Sequence, residues 1–320
     1  MSQALELWHN KKLSWLTKTE LLLTEEDDIV VESCYSLVSL GTERLVTSEN
    51  LTEEMEKNMS VPHMKGDLNT EFTYGYSLVG HVIQGSNDIK NKLVHLMHPH
   101  QNLVTIKSGS VFVVPDDMDP KLATLASNME TAVNALWDAK VEIGDSILVI
   151  GYGTIGALIS LLARSIAGVE VSVLDNNQNR NNAAISHGFQ TYNENSGYAF
   201  DVVFNTSANE EMLQKALELT RTEGKIIELS WYGVKSVNIE LGSDFHYGRK
   251  QIISSQVSQI PHQKQPVWNY KKRKELVFKL LKDLNPIYLI ESEVPFLETP
   301  VFFEKLRHGE VENLGVVIKY

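Results

Sequence analysis

The feature that most constrains this chain is a junction. Apolar Ile147-Leu148-Val149-Ile150 runs straight into Gly151-Tyr152-Gly153-Thr154-Ile155-Gly156, and then into the apolar run at residues 157–163. A buried strand, a glycine turn and a helix in that order leave few folds open. Gly151 permits the tight turn, Gly153 lets the backbone come close to a pyrophosphate, and Gly156 permits close packing of helix on strand. The helix start, with Thr154 and Ile155 in its first turn, presents free N–H groups to the phosphates. An acidic residue is then expected at the end of the next strand, about 20 residues on, to hydrogen-bond the adenine ribose. Asp175 stands there, directly after Val173-Leu174. These residues imply a bound dinucleotide. A carboxylate at Asp175 would repel the extra phosphate of NADP at short range, so NAD is favoured over NADP. Arg180 reads as an exposed charge in the first turn of the following helix, although in principle it can pair with a phosphate.

The rest of the chain agrees with a doubly wound α/β fold. From Asp119, short apolar strands at 146–150, 169–174, 201–205, 225–229 and 251–255 alternate with helical stretches near 154–167, 180–187 and 210–220. Such alternation implies a parallel sheet covered on both faces. Residues 1–118 read instead as short β segments broken by turns, for example 28–33, 77–84 and 110–114, which suits a barrel-like β domain. After Pro266 come a helix at 272–284 and a short tail ending in a strand at 314–319, too short to fold alone. The expected division is therefore 1–118 with 267–320 in one domain and 119–266 in the other.

Composition narrows the functions. A chain of 320 residues, 42% hydrophobic and 22% charged, fits about two globular domains. Its apolar runs are far shorter than the ~20 residues of a membrane span. Residues 1–12 lack the pattern of a secretory leader, so a cytoplasmic protein is expected. Cys34 is the single cysteine, which excludes an internal disulfide and a four-thiolate zinc site. A net charge of −12 argues against nucleic-acid binding and leaves a small-molecule substrate as the expected partner. The one basic cluster, Lys271-Lys272-Arg273-Lys274, reads as the solvated start of a helix.

Three segments carry a family resemblance: Val141-Glu142-Ile143-Gly144-Asp145 ahead of the glycine turn, Asp201-Val202-Val203-Phe204-Asn205-Thr206-Ser207, and Glu223-Gly224-Lys225-Ile226-Ile227. With the turn they resemble the medium-chain dehydrogenase/reductase superfamily, over nearly the whole chain. The resemblance implies a Rossmann cofactor domain joined to a GroES-like β-barrel catalytic domain, and hydride transfer between nicotinamide and a carbonyl or alcohol carbon. It makes Thr131, Asn205, Thr206, Ser230 and Trp231 cofactor neighbours, and the second and third segments the fourth and fifth strands of the cofactor sheet. Leu40-Gly41-Thr42-Glu43, His98-Pro99-His100-Gln101 and Asn128-Met129-Glu130-Thr131-Ala132 are most similar to the group around bacteriochlorophyllide dehydrogenase. A homodimer is also expected, since related enzymes pair their cofactor sheets and the strand around Ile252-Ile253 is apolar.

Zinc-type members hold a catalytic metal through a Cys before a Gly-Thr-Asp-like turn, a His-Glu pair after a glycine, and a later Cys. Here those places hold Leu40, then Tyr76 and Ser77, then Ser127 or its neighbour Ala126. None is an ordinary zinc ligand, and no zinc is expected. Another group must then polarise the carbonyl or carry the proton. Thr42 matches the family's hydroxyl relay position, or is a plain turn residue. Tyr76 replaces a zinc ligand and can donate from its phenol, or is a packed barrel aromatic. His98 and His100 follow a strand-like stretch at 93–97, and if extended would point to opposite sides, so at most one faces a pocket. Glu130 either orients ribose or substrate, or caps a helix at 131–139. A zinc-free quinone or enone reductase and a non-catalytic nucleotide-binding regulator remain alternatives to the carbonyl/alcohol dehydrogenase.

Overall fold

The first strands bury short apolar runs, such as Ile29-Val30-Val31, rather than strictly alternate positions. In order the elements are β1 (Ala4–His9), β2 (Ser14–Thr19), β3 (Asp28–Val38), α1 (Leu40–Ser48), α2 (Glu53–Met59), β4 (Phe72–Thr73), β5 (Leu78–Gln84), β6 (Leu93–Leu96), β7 (Leu103–Lys107), β8 (Val111–Val113) and α3 (Pro120–Ala123). There follow α4 (Ala126–Ala139), β9 (Ser146–Ile150), α5 (Thr154–Arg164), β10 (Glu170–Leu174), α6 (Gln178–Ser186), β11 (Gln190–Thr191), β12 (Phe200–Asn205), α7 (Glu210–Leu219), β13 (Thr220–Glu228), α8 (Asp244–Tyr247) and β14 (Gln251–Ser254). The chain closes with α9 (Tyr270–Leu284), β15 (Ile290–Pro295), α10 (Thr299–His308) and β16 (Gly315–Lys319). The computed structural model describes residues 3–21, 25–193, 199–242 and 244–320. They form two units, Met1–Ser127 with Phe278–Tyr320, and Asn128–Val277. The borders fall inside α4 and α9, later in the chain than the expected 118/119 and 266/267.

The first unit is organised by β3. It pairs antiparallel with β7 along Asp28 to Glu32 and with β16 along Tyr35 to Val38, while β5 pairs with it over Val30 to Ser36. One edge therefore carries β7 and then β16, and the other carries β5. The pairing of β3 with β5 shifts register twice, between Val30 and Val31 and between Ser33 and Tyr35. Ile29, Val31, Leu78, Val94, Leu96 and Val104 fill the interior, and burying each such side chain contributes about 1.5–3 kcal/mol. A separate three-stranded sheet has the order β2-β1-β4.

In the second unit six strands, all parallel, lie in the order β11-β10-β9-β12-β13-β14. This is the doubly wound arrangement, with the order reversing at β9. Residues 147–150 and 202–205 are buried without alternation, as strands covered on both faces must be. Helix α5 is buried from Gly156 through Ala163, which explains its unbroken apolar sequence. β14 is one of the two outer strands, and Ile252 on it is exposed. No described helix is long and apolar enough to cross a membrane.

Three local readings change. Leu40-Gly41-Thr42-Glu43 is the first turn of a helix, because the Glu43 carboxylate folds back to accept the Ser39 N–H at 2.7 Å. Helix α4 begins at Ala126, so Glu130 lies inside it and caps nothing. The basic cluster is only half solvated: Lys271 and Lys272 are exposed, but Arg273 and Lys274 are buried. Helical spacing explains the split, since 273, 274, 277, 278 and 281 all lie on the buried face of α9. Arg273 Nε donates to Glu130 Oε1 at 3.2 Å and Lys274 Nζ to Oε2 at 2.6 Å. Arg273 Nη1 also donates to Asn134 Oδ1 and to the Val257 carbonyl.

Removing the one carboxylate from this buried triad strands both cations. Glu130→Gln is therefore expected to destabilise the protein by about 3–5 kcal/mol, while Lys271→Ala stays within about 0.5 kcal/mol. Urea denaturation midpoints measure both; a Glu130→Gln protein as stable as wild type refutes the account.

Candidate functional site

β9 ends at Ile150, and the chain turns through Gly151 at φ 92° into α5, whose N-cap is Gly153. A Cβ on Gly156 would stand 1.9 Å from the Gly151 carbonyl oxygen, so no other residue lets the helix sit this close. Gly153 is different. Its φ of −84° suits any residue, and a Cβ there would meet nothing nearer than Arg180 Nη1 at 3.9 Å. The fold has no need of glycine at 153. Open space before a helix start that lacks a side-chain cap is instead what a close-approaching phosphate needs, so a dinucleotide fits here. Thr154 and Ile155 open the helix, and Thr206 braces the turn by donating from Oγ1 to the Ile150 and Gly151 carbonyls, 3.0 Å each.

Asp175 follows β10 and is 7% exposed. Its Oδ2 accepts the Tyr152 N–H of the glycine turn at 2.7 Å and its Oδ1 the Asn177 N–H at 2.8 Å. Asn181 holds the Asp175 backbone from both sides. Arg180 is not a free surface charge: its Nη1 lies 3.9 Å from Asp175 Oδ2, beside Gly153. Carboxylate and guanidinium thus both border the turn.

At the ends of β12 and β13, Asn205 is fully buried and donates through Nδ2 to Glu228 Oε2 at 2.7 Å. Ser230 donates its N–H to Glu228 Oε1, and its Oγ accepts the Ala208 N–H. The Tyr232 hydroxyl donates to Glu228 Oε2 at 3.2 Å. Trp231 is 39% exposed and Thr131 is partly exposed on α4.

In the first unit the partly exposed Tyr76 places its hydroxyl against the side chains of Ser39 and Thr42. Burial raises the phenol pKa, and the two hydroxyls only partly offset this, so Tyr76 stays a hydrogen-bond donor at neutral pH. Behind it runs a buried polar chain. Glu43 Oε1 accepts the Ser39 N–H, and His100 Nε2 donates to Glu43 Oε2 at 3.0 Å. Ser36 Oγ lies 2.7 Å from His100 Nδ1 and 2.8 Å from the Tyr320 hydroxyl. His100 and Glu43 are both fully buried. His98 is buried too, donates from Nδ1 to the Pro99 carbonyl at 2.9 Å, and stacks on His63 with 5.3 Å between ring centres. Burial pushes its pKa down to about 4. The two histidines are thus both inside, one in the chain behind Tyr76 and one against His63.

The residues at the family's zinc positions do not fit the metal. Leu40 has no donor atom. Tyr76 is held protonated, and Ser77 Oγ donates to the Thr124 carbonyl at 2.5 Å while lying 2.9 Å from His95 Nε2. Ser127 Oγ donates to the Tyr76 carbonyl at 3.0 Å. Among the described residues, no three His, Cys, Asp or Glu side chains are placed to share a metal ion.

Sequence reading missed Ser36, Ser39, Glu43, Glu228, Tyr232 and Tyr320. Glu43 carries only a partial signal, since it stands four residues after Ser39, one beyond the capping-box spacing. The others owe their places to pairing between distant segments.

No family model matches the chain. A curated relative, D-guloside 3-dehydrogenase of Shigella flexneri, is 25% identical over 254 residues, 72% of each chain. Among solved structures, L-idonate 5-dehydrogenase of Escherichia coli superposes with a TM-score of 0.79 at 14% identity, covering 100% of this chain and 99% of that one. An alcohol dehydrogenase from Escherichia coli complexed with NADH superposes with a TM-score of 0.78 at 12% identity, covering 100% of both. The chain has the two-part fold of the zinc-type medium-chain dehydrogenases, a GroES-like unit joined to a Rossmann unit.

Proposed function

We propose that the protein is a cytoplasmic, NAD(P)-dependent oxidoreductase that works without zinc and moves a hydride between nicotinamide and a carbonyl or alcohol carbon of a sugar-like substrate. The observation that carries the reading is Gly153: a glycine that its own fold does not require, at an uncapped helix start beside Asp175. The bound nicotinamide supplies the redox chemistry, and the chain supplies binding, orientation and the proton. Tyr76 is the group in the first unit whose chemistry best suits proton donation to a substrate oxygen. Its raised pKa keeps the phenol protonated, with the Ser39 and Thr42 side chains beside its hydroxyl. His98 is a poor carrier near neutrality because burial keeps it uncharged. Glu130 serves Arg273 and Lys274. The sugar-like substrate class rests on what the relatives act on, D-guloside and L-idonate by their names. Preference for NAD rests on Asp175, whose charge Arg180 offsets only in part at 3.9 Å.

Titration calorimetry tests the cofactor reading. Gly153→Val should keep its melting temperature within a few degrees, because nothing crowds a side chain there, yet lose at least about tenfold in NADH affinity. Unchanged affinity moves the cofactor elsewhere. NADPH binding as tightly as NADH in wild type removes the assigned preference.

Activity on a sugar-derived substrate should survive exhaustive chelation, with zinc well below one per chain by elemental analysis. Stoichiometric zinc whose removal abolishes turnover and whose return restores it defeats the zinc-free mechanism.

Buried His98 also predicts acid sensitivity. Below 6.5 the unfolded chain takes up a proton that the folded chain refuses until about 4, so the stability it contributes is present above 6.5 and lost as pH falls through that window. His98→Asn should recover about 2 kcal/mol of the loss between about pH 7 and about pH 5, read from urea midpoints. A pH dependence identical to wild type refutes it.

A further inference from the structure

We infer that Glu228 makes the second unit selective for the oxidised, positively charged form of the dinucleotide, an inference that rests on the dinucleotide reading above. Strand register puts Leu174, Ile150, Asn205, Glu228 and Ser254 in one row at the carboxyl ends of β10, β9, β12, β13 and β14. Adjacent strands lie about 4.8 Å apart, so Glu228 stands about 10 Å to one side of the glycine turn. Asp175 follows the strand on the other side. With the pyrophosphate on the start of α5 and the adenine ribose toward Asp175, the nicotinamide half of an extended dinucleotide lies over the ends of β12 and β13.

The carboxylate waiting there is fixed and not neutralised. Glu228 Oε2 accepts from Asn205 Nδ2 at 2.7 Å and from the Tyr232 hydroxyl, and Oε1 accepts from the Ser230 N–H at 2.8 Å. All three donors are uncharged. Among the described residues no Lys or Arg pairs with Glu228, whereas Glu130 in the same unit holds two cations. The Tyr232 phenol, next to this charge, has its pKa raised by burial and then by Glu228 itself. Oxidised nicotinamide is a cation and reduced nicotinamide is neutral, so a half-buried carboxylate nearby attracts the first and is indifferent to the second.

The test is calorimetric titration of NAD+, NADH and ADP-ribose into wild type, Glu228→Gln and Tyr232→Phe. Glutamine keeps the shape and an acceptor oxygen for the Ser230 N–H, and Tyr232→Phe keeps the charge while removing one hydrogen bond. Glu228→Gln should lose about tenfold in affinity for NAD+ relative to NADH, with ADP-ribose unchanged, and Tyr232→Phe should keep the wild-type ratio. An unchanged ratio in Glu228→Gln overturns the inference while leaving dinucleotide binding intact. So does an equal loss for ADP-ribose, or a Tyr232→Phe shift as large as that of Glu228→Gln. Wild type that binds none of the three defeats the dinucleotide reading itself, and Glu228 with it.

Discussion

The contact between Gly156 and the Gly151 carbonyl, where a Cβ would stand only 1.9 Å away, decides how closely α5 can follow β9. Because the helix starts within a few residues of the strand's end, its N–H groups open at the edge of the sheet where the strand order reverses. The same closeness brings the Asp175 carboxylate within 2.7 Å of the Tyr152 N–H, so the end of the next strand is tied to the turn. Thr206, just past β12, closes the other side with two hydrogen bonds to the turn. Three strand ends are thus locked to one glycine turn, and the surface they leave open has the shape of a phosphate cradle rather than of a packed core.

Features whose signals are local were legible in the sequence. β9 lies over 146–150 as expected, because an unbroken apolar run stopped by glycine needs no distant partner to be read. Strand β1 was hidden: its buried Glu6, which accepts from Lys65 and from Trp8 Nε1, interrupts the apolar pattern that would announce a strand. Arg273 and Lys274 failed for the opposite reason, since a run of four bases looks solvated until its helical phase is compared with Val277 and Leu281.

The candidate site was legible only at its surface layer. Thr42 and Tyr76 came from family position, and the structure puts their side chains in contact with each other and with Ser39. Behind them only His100 stood out in the sequence, and its partners did not. His100 meets Glu43 across 57 residues of chain and Ser36 meets Tyr320 across 284, and no periodicity encodes such pairs. Physical chemistry still constrains them: a buried carboxylate must find donors, so the burial of Glu43 makes partners such as His100 and the Ser39 N–H obligatory once the helix forms.

Three carboxylates show how differently one chemical group is used. Glu130 faces Arg273 and Lys274 in the interior, where one negative charge among two cations ties α9 to α4. Glu43 faces an imidazole and a backbone N–H, which fixes the first turn of α1 and with it the hydroxyls of Ser39 and Thr42. Glu228 has only neutral donors and is less deeply buried than either. Its two oxygens take three donors, which glutamine with a single acceptor oxygen would not match. The same arrangement leaves a negative charge with no Lys or Arg beside it among the described residues. Its place, in the row of strand ends beyond the glycine turn, is where a cation of the right kind would come and go with each turnover.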